Sequence, residues 1–237
     1  MSGDPWRARR FWADVAVAGG DGAWEVRLDG RPVRTPARAA LRVPTRAFAE
    51  AVAAEWAAVE GHVDPRLMPA TRLANAALDK VAAAEGDVAD HVAGYGASDL
   101  LCYRAEAPPA LVARQDAAWD PVLAWAGGAL GAPLRVARGV MPVAQDPAAL
   151  AALRGRLDVG SFRLAALHDL VALSGSLVLG LAVAEGWLGP EEAWSLSRLD
   201  EDFQAEEWGR DEEAEAAAGG RRAAFLDAAR FWRLLAA

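Results

Sequence analysis

The spacing of the apolar residues changes once, near Thr45, and that change restricts the folds open to the chain. Before Thr45 the pattern alternates: Ala13, Val15 and Val17 interleave with Asp14 and Ala16, and Trp24, Val26 and Leu28 with Glu25 and Arg27. A period of two puts every second side chain on one face of a strand. Gly19-Gly20-Asp21-Gly22 and Asp29-Gly30 are turn sequences, and the Asp-Gly pair predicts a two-residue hairpin. Pro32-Val33 and Thr35-Pro36 bound short edge pieces, and Leu41-Arg42-Val43 predicts another strand.

From Thr45 onward the period is about 3.6, that of an α-helix. Phe48, Val52, Trp56 and Val59 share one stripe, with Thr45 as N-cap and Gly61 as stop, so a helix over 45–60 should cover the sheet. The stretch 61–69 carries Asp64-Pro65 and Met68-Pro69 and reads as a linker. Beyond it most segments are helical: Leu73, Ala77 and Val81; Val88, Val92 and Tyr95; Leu111, Trp119, Val122 and Ala126 behind Pro109; Leu150, Leu153 and Leu157 behind Asp146-Pro147. Asp120-Pro121 is expected to kink or restart its helix. Gly189-Pro190-Glu191-Glu192 opens another helix, and Phe225, Ala229 and Trp232 mark a last one over 221–237. Two β-like pieces, 100–104 and 134–140, interrupt the helices. The expected fold class is α+β: a β-rich domain with one helix over residues 1–68, then a mostly α-helical domain over 69–237.

Of the 237 residues, 54% are hydrophobic and 24% charged, enough apolar surface to offset the entropy of ordering. The apolar stretch from Leu164 to Ala184 contains His168-Asp169, a pair that is expensive at the centre of a bilayer, so a helix buried in a bundle is expected rather than a span. Arg9-Arg10-Phe11-Trp12 resembles a twin-arginine signal, but a glycine-rich turn follows where an apolar core should be, and no targeting segment is expected. A single cysteine, Cys102, allows no intrachain disulfide and fits a reducing compartment.

With 25 basic and 33 acidic residues the net charge is −8, which works against nucleic acid or anionic lipid as partner. Residues 1–68 carry a net +1 and residues 69–237 a net −9. Residues 200–215 hold nine acids and one base, Arg210, so one short segment equals the whole excess. Charge that local suggests a contact surface.

Several enzyme classes fail on inventory. The only lysine, Lys80, is not in a phosphate-loop sequence. Gly94-Tyr95-Gly96 lacks the third glycine of a dinucleotide fingerprint, since Asp99 stands there, and Gly96 to Leu100 does not complete a nucleophile elbow. His62, His91 and His168 form no zinc-hydrolase or di-iron spacing. His168-Asp169 reads as a structural pair and Cys102 as a small buried apolar residue. No cofactor is expected.

The acidic segment runs from Leu199 to Ala214. As one helix it would dock through Leu196, Leu199, Phe203 and the stem of Arg210. Asp200, Gln204, Glu207 and Asp211 would share a neighbouring face, with Trp208 off the docking stripe beside Glu201. Three readings stand for this pattern: a solvated polar face, a metal or acid–base site, and a partner surface with acids around an exposed tryptophan. Like charges spaced i, i+4 cost helix stability.

These residues also carry a resemblance. Arg10-Phe11-Trp12, Leu28 to Pro36, Glu55-Trp56, Met68 to Asn75, Asp99 to Arg104, Gln115 to Pro121, Ser176 to Leu179 and the block from Asp200 to Ala214 stand in an order similar to the ATP synthase assembly chaperones of mitochondria and related bacteria. The resemblance implies a non-enzymatic chaperone with a β-rich domain followed by a helical one. It implies binding of the unassembled alpha subunit of the F-type catalytic head, and shielding of the surface that meets the beta subunit until that subunit replaces it. The site residues then expected are Asp200, Glu201, Gln204, Glu207, Trp208 and Asp211, in a cytoplasmic protein that neither enters a membrane nor binds nucleic acid. The competing function is a metal-dependent enzyme built on the acids around 200–215.

Overall fold

The computed structural model describes residues 8–139 and 141–236. The part of the 134–140 expectation that falls on Val140, and the first seven residues of the expected N-terminal domain, lie outside them. The architecture is α+β, as the two apolar periods require.

Four strands form the first sheet: β1 (Val15–Gly20), β2 (Ala23–Leu28), β3 (Arg31–Pro32) and β4 (Arg42–Val43). β2 pairs antiparallel with β1 and, along its length, with both β3 and β4. The two connections on either side of β2 are two-residue turns with positive φ at both positions, Asp21 and Gly22 (52° and 76°) and Asp29 and Gly30 (47° and 78°). This geometry matches the twist of the flanking strands. Asp29 also accepts the backbone N–H groups of Ala13 and Asp14 through Oδ1, at 3.0 and 2.8 Å, so the turn is tied to the start of β1.

Helix α1 (Arg46–Ala57) starts where expected and ends three residues sooner, at a cap on Ala58. Thr45 is extended and its Oγ1 accepts the Phe48 N–H at 3.2 Å. The same hydroxyl donates to the carbonyl of Leu234 at 2.7 Å. Phe48, Ala49 and Val52 are fully buried, as are Val26, Leu41 and Val43 of the sheet region. The Phe48 ring packs edge-on against Phe162 and Phe231, at 6.1 and 5.6 Å. Truncating such a ring to alanine costs about 3–5 kcal/mol.

The segment 61–69 holds a short 3-10 turn, Pro65–Leu67, opened by Asp64, which accepts the Arg66 N–H. Helix α2 (Pro69–Asp79) follows. Its N-terminus is capped from outside. Glu55 of α1 accepts the N–H of Ala70 at 2.6 Å and the N–H and hydroxyl of Thr71 at 2.8 and 2.7 Å. Burial, the largest influence, raises the Glu55 carboxyl above its usual range against these hydrogen bonds. This accounts physically for Glu55 and for Ala70-Thr71 among the matched sequence pieces.

Next come α3 (Glu85–Gly94), β5 (Tyr103–Arg104), α4 (Pro109–Ala129), β6 (Ala137–Arg138), α5 (Pro147–Arg154), α6 (Ser161–Ser174), α7 (Leu177–Ala184), α8 (Pro190–Ser197), α9 (Leu199–Trp208) and α10 (Glu212–Leu234). β5 and β6 pair in parallel, inside the two stretches that read as β-like. α4 runs unbroken through Pro121, where a restart was one of the two outcomes expected. The apolar stretch 164–184 is two helices. Gly175 ends α6 in the left-handed region (φ 72°), and Ser176 caps α7. No helix among the described residues is long and apolar enough to cross a membrane.

The chain parts into two compact units. One comprises the described residues through Ala84 together with 161–165 and 230–236. The other comprises 85–160 and 166–229. Its most apolar helix is α7, of which residues Leu177 to Val183 are all buried.

Candidate partner-binding surface

A buried polar network in the second unit sets where the acidic segment lies. Arg104 is fully buried, and its guanidinium donates to the Leu101 carbonyl at 2.8 Å, to Asp116 at 3.1 Å and to Asp120 at 2.9 Å. It also lies 5.2 Å from the centre of the Trp119 ring. Asp116 holds Arg138 at 2.8 Å. Gln115, also fully buried, accepts the Ala105 N–H at 2.8 Å and donates to Oδ1 of Asp200 at 2.7 Å. The indole N–H of Trp119 donates to the Leu196 carbonyl at 2.9 Å. The buried charge is tolerated because each of the three guanidinium nitrogens finds a partner, two of them carboxylates. The sequence pieces Asp99 to Arg104, Gln115 to Pro121 and Asp200 therefore meet in space, and through Gln115 and Trp119 they hold the end of α8 and the start of α9.

Asp99 is wholly buried beside the N-terminus of α7, where its carboxylate accepts Ser176 Oγ at 2.7 Å, Val178 N–H at 3.0 Å and Leu101 N–H at 3.1 Å. Burial still outweighs these bonds and pushes its pKa up to about 6. Cys102 is buried, and burial, with Asp99 nearby, pushes its thiol up to about 12, which fits a packed apolar residue and not a thiolate nucleophile. His168 and Asp169 touch at 3.2 Å through Nδ1, and the His168 ring stacks on His91 with centroids 6.0 Å apart.

The acidic segment is two helices, where the sequence suggested one. Gly209, at φ 95°, ends α9, and α10 begins at Glu212. A non-glycine residue rarely adopts that backbone conformation, so the break is local in origin. Asp211 therefore does not continue the face of Asp200, Gln204 and Glu207. Its Oδ1 accepts the N–H groups of Glu213 and Ala214 at 2.8 and 2.9 Å and caps α10. Arg210 is exposed and pairs with Glu215 at 3.0 Å instead of lending its stem to the docking stripe. Leu199 is buried as expected, with Leu196 and Phe203 half-buried.

Between α9 and the start of α10 lies an open groove of about 920 Å³. Arg198, Glu201, Asp202, Ala205 and Trp208 line one wall, and Ala214, Ala217, Ala218 and Arg221 line the other. Of the six residues singled out from the sequence, Glu201, Gln204, Trp208 and Asp211 come together at this groove; Asp200 and Glu207 do not line it. Asp200 turns toward Gln115, whereas Glu207 is exposed. Trp208 is 82% exposed, the most accessible of the large hydrophobic side chains described. Glu201 pairs with Arg198 at 2.6 Å, and Glu206 makes a two-pronged pair with Arg114 of α4 at 2.7 and 3.0 Å. Arg114 lowers the Glu206 pKa, chiefly by hydrogen bonding. Glu207, Glu212 and Glu213 have no ion-pair partner among the described residues. No three His, Cys, Asp or Glu side chains among the described residues gather as metal ligands. The alanine wall of α10 is not legible in the sequence, since alanines on an exposed helix carry no signal until a facing wall exists.

The family model for the ATP12 chaperone protein matches residues 9–127. The chain belongs to the ATP12 chaperone family. That match takes in Arg10-Phe11-Trp12, Leu28 to Pro36, Glu55-Trp56 and the network motifs up to Pro121; the block from Asp200 onward lies beyond it. Across 219 residues the chain is 26% identical to mitochondrial protein atp12 of Schizosaccharomyces pombe, a match over 87% of this chain and 75% of that protein. Two solved structures of Atp12 from Paracoccus denitrificans extend the likeness to the whole fold. One is 54% identical with a TM-score of 0.93, covering 97% of this chain and 99% of the other. An aspartate-to-lysine variant of the same protein is 53% identical, with the same TM-score and coverage. The acidic helices are thus included in the structural likeness to Atp12.

Proposed function

We propose that this protein is an assembly chaperone of the F-type ATP synthase. It binds the unassembled alpha subunit and shields the surface that meets the beta subunit, until the beta subunit displaces it. It works without catalysis in the cytoplasm, the bacterial counterpart of the mitochondrial matrix. Membership of a chaperone family supports the class of activity. The observation that carries the surface is Trp208, 82% exposed next to Glu207, which has no ion-pair partner among the described residues, within the most acidic stretch of the chain. An exposed tryptophan costs solubility in the free protein and becomes a desolvated anchor in a complex. Acids around it attract a cationic client face and speed encounter.

The test is capture of purified alpha subunit by the Glu201→Lys and Glu207→Lys variants, with melting temperature measured on the same samples. Binding should weaken by about 1–3 kcal/mol while melting is unchanged. Raising salt should slow association of the unaltered protein, since exposed charges are screened beyond about 10 Å at 0.1 M. Unchanged capture by both variants would sink the acidic-surface reading, and absence of alpha-subunit binding would sink the function.

A further inference from the structure

We infer that the groove between α9 and the first turns of α10 seats one α-helix of the client, with a narrow small or apolar face and Arg or Lys along its edges. This rests on the client-binding reading above and adds a second wall, the occupant's conformation and its chemistry.

The wall is the first three turns of α10, which bury little of their own side-chain surface. From Glu212 to Ala223 every side chain of α10 is exposed except that of Ala218, which is half-buried. Twelve residues are marginal as a helix by themselves, so this stretch depends on the buried later turns of α10, where Phe225, Ala228 and Ala229 pack. Gly219 and Gly220 weaken it further, and a Cβ at either would meet nothing within 4 Å, so no packing inside this chain demands them. Asp211 and the Arg210–Glu215 pair support its first turn, and further along Arg221 donates to the Leu173 carbonyl at 3.0 Å and Arg222 pairs with Glu191.

The groove face of this helix is nonetheless regular. Ala214, Ala217, Ala218 and Arg221 stand at i, i+3, i+4 and i+7, one face of a helix. Glu201, Asp202, Ala205 and Trp208 give α9 a facing stripe, continued by Arg198 just before the helix and edged by Gln204 and Glu206. Alanine at the contact lets a third helix axis approach at the short end of the usual range of about 8–10 Å. A helix about 10 Å across with small side chains included fills 920 Å³ with about two turns.

Backbone chemistry favours a helix over a strand. Within α9 and α10 the backbone groups are spent on their own ladders, so an extended segment laid between them finds no sheet edge to pair with. It would bury its own N–H and C=O groups unpaired, whereas a helix brings them already satisfied. The charge of the guest follows from the rims. Glu201, Asp202, Glu206, Asp211 and Glu215 outnumber Arg198, Arg210 and Arg221; Glu201, Glu215 and Glu206 are already paired with Arg198, Arg210 and Arg114, which leaves Asp202 and Asp211 against Arg221. Cationic edges on the guest meet what is left.

The experiment compares the double variant Ala217→Gln/Ala218→Gln with Ala216→Gln, which lies on the opposite face of α10, and with Glu207→Lys, which is outside the groove. The probes are purified alpha subunit and overlapping twenty-residue peptides of its sequence. Glutamine keeps helix propensity but fills the groove. The double variant should lose at least about tenfold in alpha-subunit affinity with unchanged melting, and Ala216→Gln should bind as the unaltered protein does. A cationic peptide should bind and gain helical circular dichroism. If the double variant binds normally while Glu207→Lys is weakened, the groove inference falls and the proposed function stands. Peptides that bind only in extended form, or that are acidic, overturn the inference as well. If the unaltered protein does not bind alpha subunit, both fall.

Discussion

Asp200 accepts a 2.7 Å hydrogen bond from the side-chain amide of Gln115, which is completely buried and whose carbonyl oxygen is taken by the Ala105 N–H. Asp200 is therefore part of what holds α9 to α4, although it belongs to the most acidic stretch of the chain. Removing it strands a buried donor. Asp200→Ala should lower stability by about 1–3 kcal/mol, and Glu207→Ala should stay within about 0.5 kcal/mol. Chemical denaturation of the two variants checks this; equal midpoints would show that Gln115 finds another acceptor.

Asp99 predicts an unusual pH slope. Its folded pKa is raised from 3.8 to about 6 by burial. Between those values the folded state keeps a proton that the unfolded chain has lost. The contribution to stability is then fully present below about pH 4 and is lost as pH rises through 6. The full effect is on the order of 3 kcal/mol. Subtracting the curve of Asp99→Asn from that of the unaltered protein isolates it from other carboxylates. The difference should fall with rising pH from 4 to 6, and a rise over that window would contradict the assignment.

Gly219 and Gly220 lie inside an exposed helix with free space around both positions. Replacing both by alanine should stabilise the helix by roughly 1–2 kcal/mol, because alanine loses less backbone entropy and meets no obstacle. A rise in helical circular dichroism and in melting temperature is the expected outcome. A fall in either would mean that the glycines serve a conformation other than this helix.

We propose that residues 69–237 hold their helical structure without residues 1–68. The cost is visible at Phe48, whose removal uncovers Phe162 and Phe231. A fragment starting at residue 69 should keep strong helical circular dichroism, bind an apolar dye and be less soluble than the whole chain. A random-coil spectrum would place the folding boundary elsewhere.

Much of the local structure was legible because it follows from short-range chemistry. Asp29-Gly30 makes a tight hairpin since both residues tolerate positive φ. Thr45 caps α1 because its hydroxyl reaches the Phe48 N–H three residues on. The acidic block stood out on charge, and Trp208 lies off the docking stripe as its helical angle requires. The break at Gly209 is not legible, although the residue is visible in the sequence. Glycine inside a helical pattern is often tolerated, and only the backbone turn at φ 95° distinguishes the two cases.

The amino-acid sequence by itself determined the two apolar periods, the turns, most helix starts, the family and the place where negative charge concentrates. These depend on residues within one or two turns of each other, or on the order of matched pieces. Tertiary structure alone decided what each acid does. Asp200 and Glu207 are both acids of α9, yet one is bonded to Gln115, 85 residues away, and the other is exposed. Likewise Ala214, Ala217 and Ala218 become a wall only once α9 stands opposite them. Contacts between residues far apart in the chain depend on how whole helices pack, and no local pattern encodes which face of one helix will meet another.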